Sequence, residues 1–541
     1  MLSRALIVVL LICGSAAAGD PLPGRILPGD AEQMQAPEDL GLDLVPESLI
    51  RPRDAVVTEA QPADVRARGS AGKVRQRSLD SVIPPEYHDL FETRAVFESL
   101  QALHPGIVHI ETIGWSTWRH EPIWGVRISD NPSVEEDEPA LLFTAVTHAR
   151  EAMGCEVIIS FARYLCANYD TSPPVRRWVD SLEVWLVPVV NVDGYRFLFD
   201  SARSRPWWRK NQRDNNNDGR FNRDRDGVDL NRNFDWRWKS GGSTAPADLY
   251  YRGPFAGSEA EVQAWCSLSR RELPVFGISY HSYGNFVYYP WRINGQGTPD
   301  EDVSLATAEE LARHIGYVVK TCSGSNMSSA WNYARVGMLE YMVETVADRY
   351  FAPAPEIPGI CAANLNGDTF LLNRMFYGAV WGHTRDAITD SPLVAEVQIL
   401  GRVDTQLDPR LSDPFFGRYW RALEPGTYSL RFSAPGYHSL TMTDLKVSAE
   451  SLTRYEARLR PSSGVGQNDG LNRRGGLMVP SPFAGHAVAH DAGRTELLLY
   501  DAGGRLVERC FAARIAATVP TGVYWLRTAG AGRAVSIVKL R

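Results

Sequence analysis

The segment THAREAMGCE (147–156) sets a histidine and a carboxylate three residues apart, His148 and Glu151, directly after the apolar run LLFTAV (141–146). Zinc in catalytic sites commonly takes three protein ligands and leaves one position to water, and two histidines with one glutamate form such a set. Taken alone, the pair is weak evidence and reads more readily as a polar turn that caps the following helix. A second apolar run, FGISYH (276–281), ends in His281 and is followed by Ser282, Tyr283 and Gly284. In open α/β sheets ligands gather at the carboxyl ends of strands, so His281 can reach the mouth that holds His148 and Glu151.

Between these segments lies a stretch too polar for a core, WWRKNQRDNNNDGRFNRDRDGVDLNRNFDWRW (207–238). Arg209, Asn231 and Arg232 in it could form an anion pocket, because guanidinium groups bind carboxylates bidentately. Its central part, DNNNDGRFNRDRD (214–226), resembles the start of a calcium loop: Asp214, Asn216 and Asp218 alternate, and Gly219 permits a sharp turn. The bidentate glutamate expected at the twelfth position is missing. Further on, MLEYMVETVAD (338–348) carries two carboxylates, Glu340 and Glu344, which strand alternation would project to one face. A carboxylate beside a metal-activated water can act as general base.

These residues need a scaffold, and the chain is long enough to supply one. It has 541 residues, a formal charge of −7, 44% apolar and 22% charged residues, so several folded units are expected and no nucleic-acid partner. The start, MLSRALIVVLLICGSAAAGD, has a basic residue, an apolar stretch from Ala5 to Cys13 and then small residues. It reads as a secretory signal over 1–18, too short in its apolar part for a comfortable membrane span. With Cys13 removed, six cysteines (155, 166, 266, 322, 361, 510) remain for an oxidising compartment, which permits disulfides in any of fifteen connectivities.

Residues 19–84 are rich in Pro, Ala, Asp and Arg without sustained periodicity and read as a leader or pro-segment. From Pro85 the texture changes, with YHDLFETRAVFESLQALHPG spaced as a helix and closed by Pro-Gly. Short apolar runs (LLFTAV, VIISFARYL at 157–165, EVWLVPVV at 183–190, FGISYH) then alternate with helical patterns, which predicts an α/β domain with a parallel or mixed sheet over 85–388. Residues 391–460 read as a small β-sandwich divided by Pro-Gly turns, 461–476 as a linker, and 477–541 as a second small β domain.

In combination, HARE, VPVVNVDGY, WRK, GVDLNRNF, SYHSYG and the glutamate strand, in this order, resemble the zinc metallocarboxypeptidases, the family of pancreatic carboxypeptidases A and B and bacterial carboxypeptidase T. The resemblance runs from about Tyr87 to Asp386 and implies a doubly wound mixed sheet. It also implies His148, Glu151 and His281 as ligands of one zinc ion and Glu344 as general base. Glu344 rather than Glu340 lies at the family's interval, thirteen residues after Trp331. The same resemblance assigns oxyanion stabilisation to Arg209, and substrate binding to Arg150, Asn231, Arg232 and Tyr283, with Asn231 and Arg232 holding a terminal carboxylate. The implied reaction is release of a C-terminal amino acid from peptides and proteins. Cys322, or Lys320 in a shifted alignment, occupies the position at which the family carries a mobile tyrosine, and Ser329 a position that helps set side-chain preference, which turns the expectation away from Lys or Arg.

The segment around PGTYSLRFSAPGY resembles the transthyretin-like sandwich of regulatory carboxypeptidases, and the last segment, with LLLYDAGGRLV and GVYWLR, is similar to C-terminal sorting domains of the type IX secretion system. These imply a secreted or cell-surface enzyme that crosses the periplasm and meets an outer-membrane secretion machinery. Two alternatives remain at this stage: a peptidase of the same fold acting on cell-wall stem peptides, and a non-catalytic surface binding protein.

Overall fold

The computed structural model describes residues 83–203, 207–293, 295–324, 326–402 and 404–462, together with the backbone of short strands nearer the two ends of the chain. The signal peptide, nearly all of the leader and linker, and the sorting domain expected from the sequence lie outside the described residues, those short strands apart.

Helix α1 (Leu90–Leu103) opens the α/β unit. Its start is fixed by a capping box: the Asp89 carboxylate accepts from the Phe91 and Glu92 amides at 2.8 Å, and Glu92 accepts from the Asp89 amide at 2.8 Å. The chain continues through β1 (Val108–Trp115), β2 (Pro122–Ile128), β3 (Ala140–Ala145), α2 (Met153–Asn168), α3 (Pro173–Val179), β4 (Glu183–Val187) and α4 (Val192–Arg203). After the long polar segment come α5 (Ala260–Glu272), β5 (Phe276–Ser282), β6 (Phe286–Tyr289), α6 (Glu301–Ile315), β7 (Val318–Thr321), α7 (Ser328–Arg335), β8 (Leu339–Thr345) and α8 (Ile357–Arg374). VIISFARYL, grouped above with the short apolar runs, is the body of helix α2, buried on most of its length against the sheet.

The eight strands form one mixed sheet in the order β7-β6-β8-β5-β3-β4-β2-β1. The four central strands, β8, β5, β3 and β4, run parallel, and antiparallel pairs flank them. Strands buried on both faces explain why these runs are continuously apolar rather than alternating. Every residue of β3, β4 and β5 is buried. In β8 the single residue not buried is Glu344.

Two valines mark the carboxyl edge. Val146, just past β3, and Val346, just past β8, both have left-handed backbones, with φ of 54° and 62°. A β-branched residue there is strained, and such strain persists only where surrounding structure imposes it. The Val146 carbonyl accepts from Asn191 N at 3.0 Å and that of Val346 from Gly284 N at 2.7 Å, so both bends are tied to neighbouring loops at the sheet's mouth.

A second unit follows, with β9 (Ala379–Asp386), β10 (Glu396–Ile399), β11 (Arg418–Ala422), β12 (Gly426–Ser433), β13 (Leu440–Val447), β14 (Leu452–Arg454) and β15 (Ala457–Leu459). One sheet is built on β9, paired with β11, β14 and β15, and the other is β10-β12-β13. Val380, Val397, Ile399, Leu430, Phe432 and Leu459 lie in the core between them. Strand β9 falls within the segment expected to close the catalytic domain, yet it pairs with this following unit. Ion pairs join the two units: Arg402 to Asp300 at 3.1 Å and Asp302 at 2.5 Å, and Arg335 to Asp408 at 2.9 Å.

The five described cysteines (155, 166, 266, 322, 361) are buried free thiols, so the permitted disulfides do not form among them. Cys155 and Cys166 share helix α2, about three turns apart, and Cys266 and Cys361 lie on α5 and α8. Among the described residues no helix is long and apolar enough to cross a membrane.

Candidate active site

His148 and Glu151 stand on the turn between β3 and α2, and His281 near the end of β5. Neighbouring parallel strands deliver all three to one point. His148 Nδ1 lies 2.8 Å from one Glu151 carboxylate oxygen, His281 Nδ1 lies 2.8 Å from the other, and the two ring nitrogens are 3.2 Å apart. All three side chains are buried.

The outward nitrogens of both rings are held. His148 Nε2 faces Asp229 Oδ1 at 3.2 Å, and His281 Nε2 faces Ser279 Oγ at 3.1 Å. A histidine that gives its outer N–H to a carboxylate turns a lone pair inward, the arrangement that orients metal-ligating imidazoles. Two inward nitrogens at 3.2 Å with a carboxylate between them form a compact set of groups able to donate electron pairs to one cation. Two imidazoles and one carboxylate suit zinc. Burial alone would raise the Glu151 carboxyl, but His148 and His281 outweigh it and hold it far below the usual range. Burial keeps His281 on the neutral, ligating side.

Asp229 was not singled out by the sequence reading, although it stands two residues before Asn231 in the quoted GVDLNRNF. It is fully buried, and its second oxygen accepts from Arg209 Nε at 3.1 Å and NH2 at 3.0 Å. Burial opposes its charge, but Arg209 and His148 hold the carboxyl well below the usual range. Arg209 in turn reaches Glu151 at 3.7 Å, so one aspartate ties a ligand histidine and a cation to the same place. Tyr250 was also missed: its ring lies under both Arg209, at 5.1 Å, and Arg232, at 5.6 Å. Nothing in its local sequence distinguishes it from a loop tyrosine.

Asn231 and Arg232 lie on a short 3₁₀ turn started by Asp229, whose side chain accepts from Asn231 N at 3.0 Å. Asn231 Oδ1 accepts from Ser328 N at 2.9 Å, and Nδ2 faces Met342 Sδ at 3.9 Å. Arg150 is fully buried, its guanidinium over the Tyr350 ring at 4.3 Å. Tyr283 packs edge-on against the same ring at 4.9 Å. These two share an aromatic wall beside the metal ligands in sequence.

The register of β8 on β5 pairs Glu344 with His281 and Glu340 with Gly277. Four residues of strand are about 13 Å, so the two carboxylates are well separated along β8. Glu344 is level with His281 of the candidate metal site. Both oxygens of Glu340 are taken, by Ser328 Oγ at 2.6 Å and by the Asn332 amide.

Two further expectations meet the structure differently. Asp214 and Asp218 accept from backbone amides of their own exposed loop, including Gly219 N and Arg220 N, and Asn216 donates to Asp218. The loop is not among the described groups whose carboxylates or imidazoles converge as for a metal, so calcium there finds no support. Cys322 is buried against Met327, with Sγ to Sδ at 3.6 Å, and a phenol at that position would displace Met327.

Fold and site together define a mononuclear metalloenzyme-type centre, two histidines and a glutamate at the carboxyl edge of a mixed α/β sheet, with arginines alongside. Residues 93–367, about half of the chain, match the zinc carboxypeptidase family (peptidase M14), and the chain belongs to that family. It is 34% identical over 152 residues to "Zinc carboxypeptidase" of Saccharothrix mutabilis subsp. capreolus, covering 28% of this chain and 33% of the relative. It is 31% identical over 219 residues to carboxypeptidase A6 of Mus musculus, covering 40% and 48%. The chain thus spans a third to a half of the length of these curated relatives. Among solved structures, thrombin activatable fibrinolysis inhibitor is similar with a TM-score of 0.52 at 22% identity, covering 65% of this chain and 98% of that one. Carboxypeptidase A from Helicoverpa armigera is similar at 0.51 and 19%, covering 62% and 91%. These likenesses establish the carboxypeptidase-like α/β fold.

Proposed function

We propose that the protein is a zinc-dependent carboxypeptidase that hydrolyses the last peptide bond of peptides and proteins bearing a free C-terminal carboxylate. The observation that carries this reading is the convergence of His148, Glu151 and His281 beside Asn231 and Arg232. His148, Glu151 and His281 would hold the zinc ion. When bound, zinc acts as a Lewis acid that acidifies a water and stabilises negative charge on a carbonyl oxygen.

The chain's own residues supply the rest. Glu344, level with His281, takes a proton from the attacking water and hands it to the leaving amine. Arg209, pinned by Asp229, turns its guanidinium toward the oxygen that becomes negative; a donor fixed beforehand pays no reorganisation during reaction. Arg232 and the Asn231 amide receive the substrate's terminal carboxylate, and Arg150 and Tyr283 line the approach. Because that carboxylate is the anchor, the cut falls one residue from a chain end.

Export to the cell surface rests on the sequence of residues 1–18 and 477–541, and stem peptides of a cell wall, which also end in a carboxylate, remain a substrate of the same chemistry. The test uses two peptides of one sequence, a free acid and its C-terminal amide, incubated with the full chain and followed by mass spectrometry. Stepwise loss of single residues from the acid, with the amide spared, supports the reading. Equal cleavage of both overturns it.

A further inference from the structure

Glu340 is an anomaly on the strand that carries Glu344. It is 1% exposed, and among the described residues no arginine, lysine or histidine pairs with its carboxylate. Burying a carboxylate without a cation is costly, and burial pushes Glu340 up to about 7 against the hydrogen bonds of Ser328 and Asn332. The proposed chemistry does not use it. An aliphatic residue would pack there more cheaply.

Its contacts show what it holds. Ser328 and Asn332 are the first and fifth residues of α7, one turn apart on the same face. Ser328 Oγ donates to one oxygen of Glu340 at 2.6 Å, and Asn332 Nδ2 donates to the other. Glu340 therefore grips the first turn of α7 at two points from β8. That turn has no cap of its own: Met327, at the N-cap position, makes no side-chain capping bond. The leading amide of α7, Ser328 N, instead donates at 2.9 Å to Asn231 Oδ1, from a distant segment. Asn231 thus caps the helix in trans.

This exchange fixes the amide of Asn231. With Oδ1 bound to Ser328 N, the donor Nδ2 is turned to the other side, where its neighbour is Met342 Sδ at 3.9 Å, a weak acceptor. Met342 lies between Glu340 and Glu344 on the same face of β8. The donor end of Asn231 is thereby given only to a thioether sulfur, a weak acceptor that a carboxylate oxygen would outcompete.

We propose that Glu340 is a positioning residue for substrate binding: by clamping Ser328 and Asn332 it sets the first turn of α7, whose leading N–H locks the Asn231 amide with its donors toward the substrate's terminal carboxylate. This rests on the reading of Asn231 as a carboxylate anchor. Glu340 touches neither the metal ligands nor the scissile bond, so its loss acts on KM and not on the chemical step.

The experiment is a double-mutant cycle on the full chain, with a free-acid peptide as substrate and zinc content and Tm recorded for each variant. Asn231→Ala is expected to raise KM about tenfold, the loss of one charge-assisted hydrogen bond. Glu340→Gln keeps the shape but leaves one acceptor oxygen where Ser328 Oγ and Asn332 Nδ2 both donate, and is expected to raise KM about fivefold with kcat within about twofold. In the Asn231→Ala background, Glu340→Gln should add nothing. Should Glu340→Gln fold poorly, Ser328→Ala removes one grip while keeping the amide, and the same KM-selective, Asn231-dependent loss is expected. An equal rise in both backgrounds, an unchanged KM, or a loss confined to kcat overturns the proposal. If Asn231→Ala itself leaves KM unchanged, the anchor reading fails and the proposal falls with it, a result distinct from failure at Glu340 alone.

Discussion

Replacing Asp229 by asparagine should weaken zinc binding although Asp229 is not a ligand. The aspartate gives one oxygen to His148 Nε2 at 3.2 Å and to Asn231 N at 3.0 Å, and the other to two Arg209 nitrogens at 3.1 and 3.0 Å. Asparagine can keep the first oxygen, but then sets an NH2 group against two Arg209 donors. Each charge-assisted bond is worth about 1.5–3 kcal/mol, and Arg209, 6% exposed, cannot recover them from water. The released guanidinium is already 3.7 Å from Glu151 and would compete with the metal for that carboxylate. If the amide turns the other way, its NH2 faces His148 and the inward lone pair is lost. Either way the loss should be about 10–100-fold in zinc affinity, or about 1.4–2.7 kcal/mol. The assay is competition for zinc against a chromophoric chelator, followed by kcat/KM at saturating zinc. A zinc affinity within about twofold of the parent would refute the role assigned to Asp229.

Arg232→Ala should raise KM for free-acid peptides by about 10–100-fold with a smaller change in kcat, since it removes the cation that pairs with the substrate's carboxylate; a pure kcat loss in steady-state kinetics would contradict this. Gly154→Ala should destabilise the catalytic unit, because a Cβ there would lie 2.5 Å from Tyr280 Cβ and 3.0 Å from Ala145 Cβ, where α2 crosses β5 and β3. Overpacking of this kind costs about 1–3 kcal/mol, so thermal unfolding should show a Tm lower by several degrees, and an unchanged Tm would show that α2 can retreat. His383 joins the two units, with Nε2 to Asp137 at 2.8 Å and Nδ1 to Glu456 at 3.1 Å, and the Asp137 hydrogen bond is the main cause of its raised pKa. A histidine raised in the folded state contributes stability that is complete below its unfolded pKa of about 6.5 and is lost as pH climbs through the folded value. Denaturant unfolding between neutral and mildly alkaline pH should show this decline, and His383→Gln should flatten it; an unaltered slope would remove His383 from the linkage.

Much of the candidate site was legible because its two histidines follow apolar strands that announce themselves. LLFTAV and FGISYH are apolar runs that stop at His148 and His281, and a parallel sheet brings such ends together. The register that sets Glu344 rather than Glu340 beside His281 needed either the family interval or the pairing itself, since alternation puts both on one face. What stayed hidden depends on contacts distant in sequence. Asp229 acts on a histidine 81 residues away, and Asn231 caps a helix 97 residues away, neither of which a local pattern records. VIISFARYL carries enough β-branched residues to suggest a strand, and packing against the sheet makes it helix α2. The calcium reading finds no support for a related reason: alternating Asp and Asn also satisfy the amides of a tight turn, and here they do.

The central claim is tested most directly by stripping the purified full chain of metal and titrating zinc back while following release of the C-terminal residue from a free-acid peptide, in the parent and in Glu344→Gln. The account expects activity to rise to a plateau at one zinc per chain in the parent, and Glu344→Gln to bind zinc equally while losing at least about 100-fold in kcat. Full activity without metal, or Glu344→Gln retaining the parent's rate at full zinc occupancy, would contradict it.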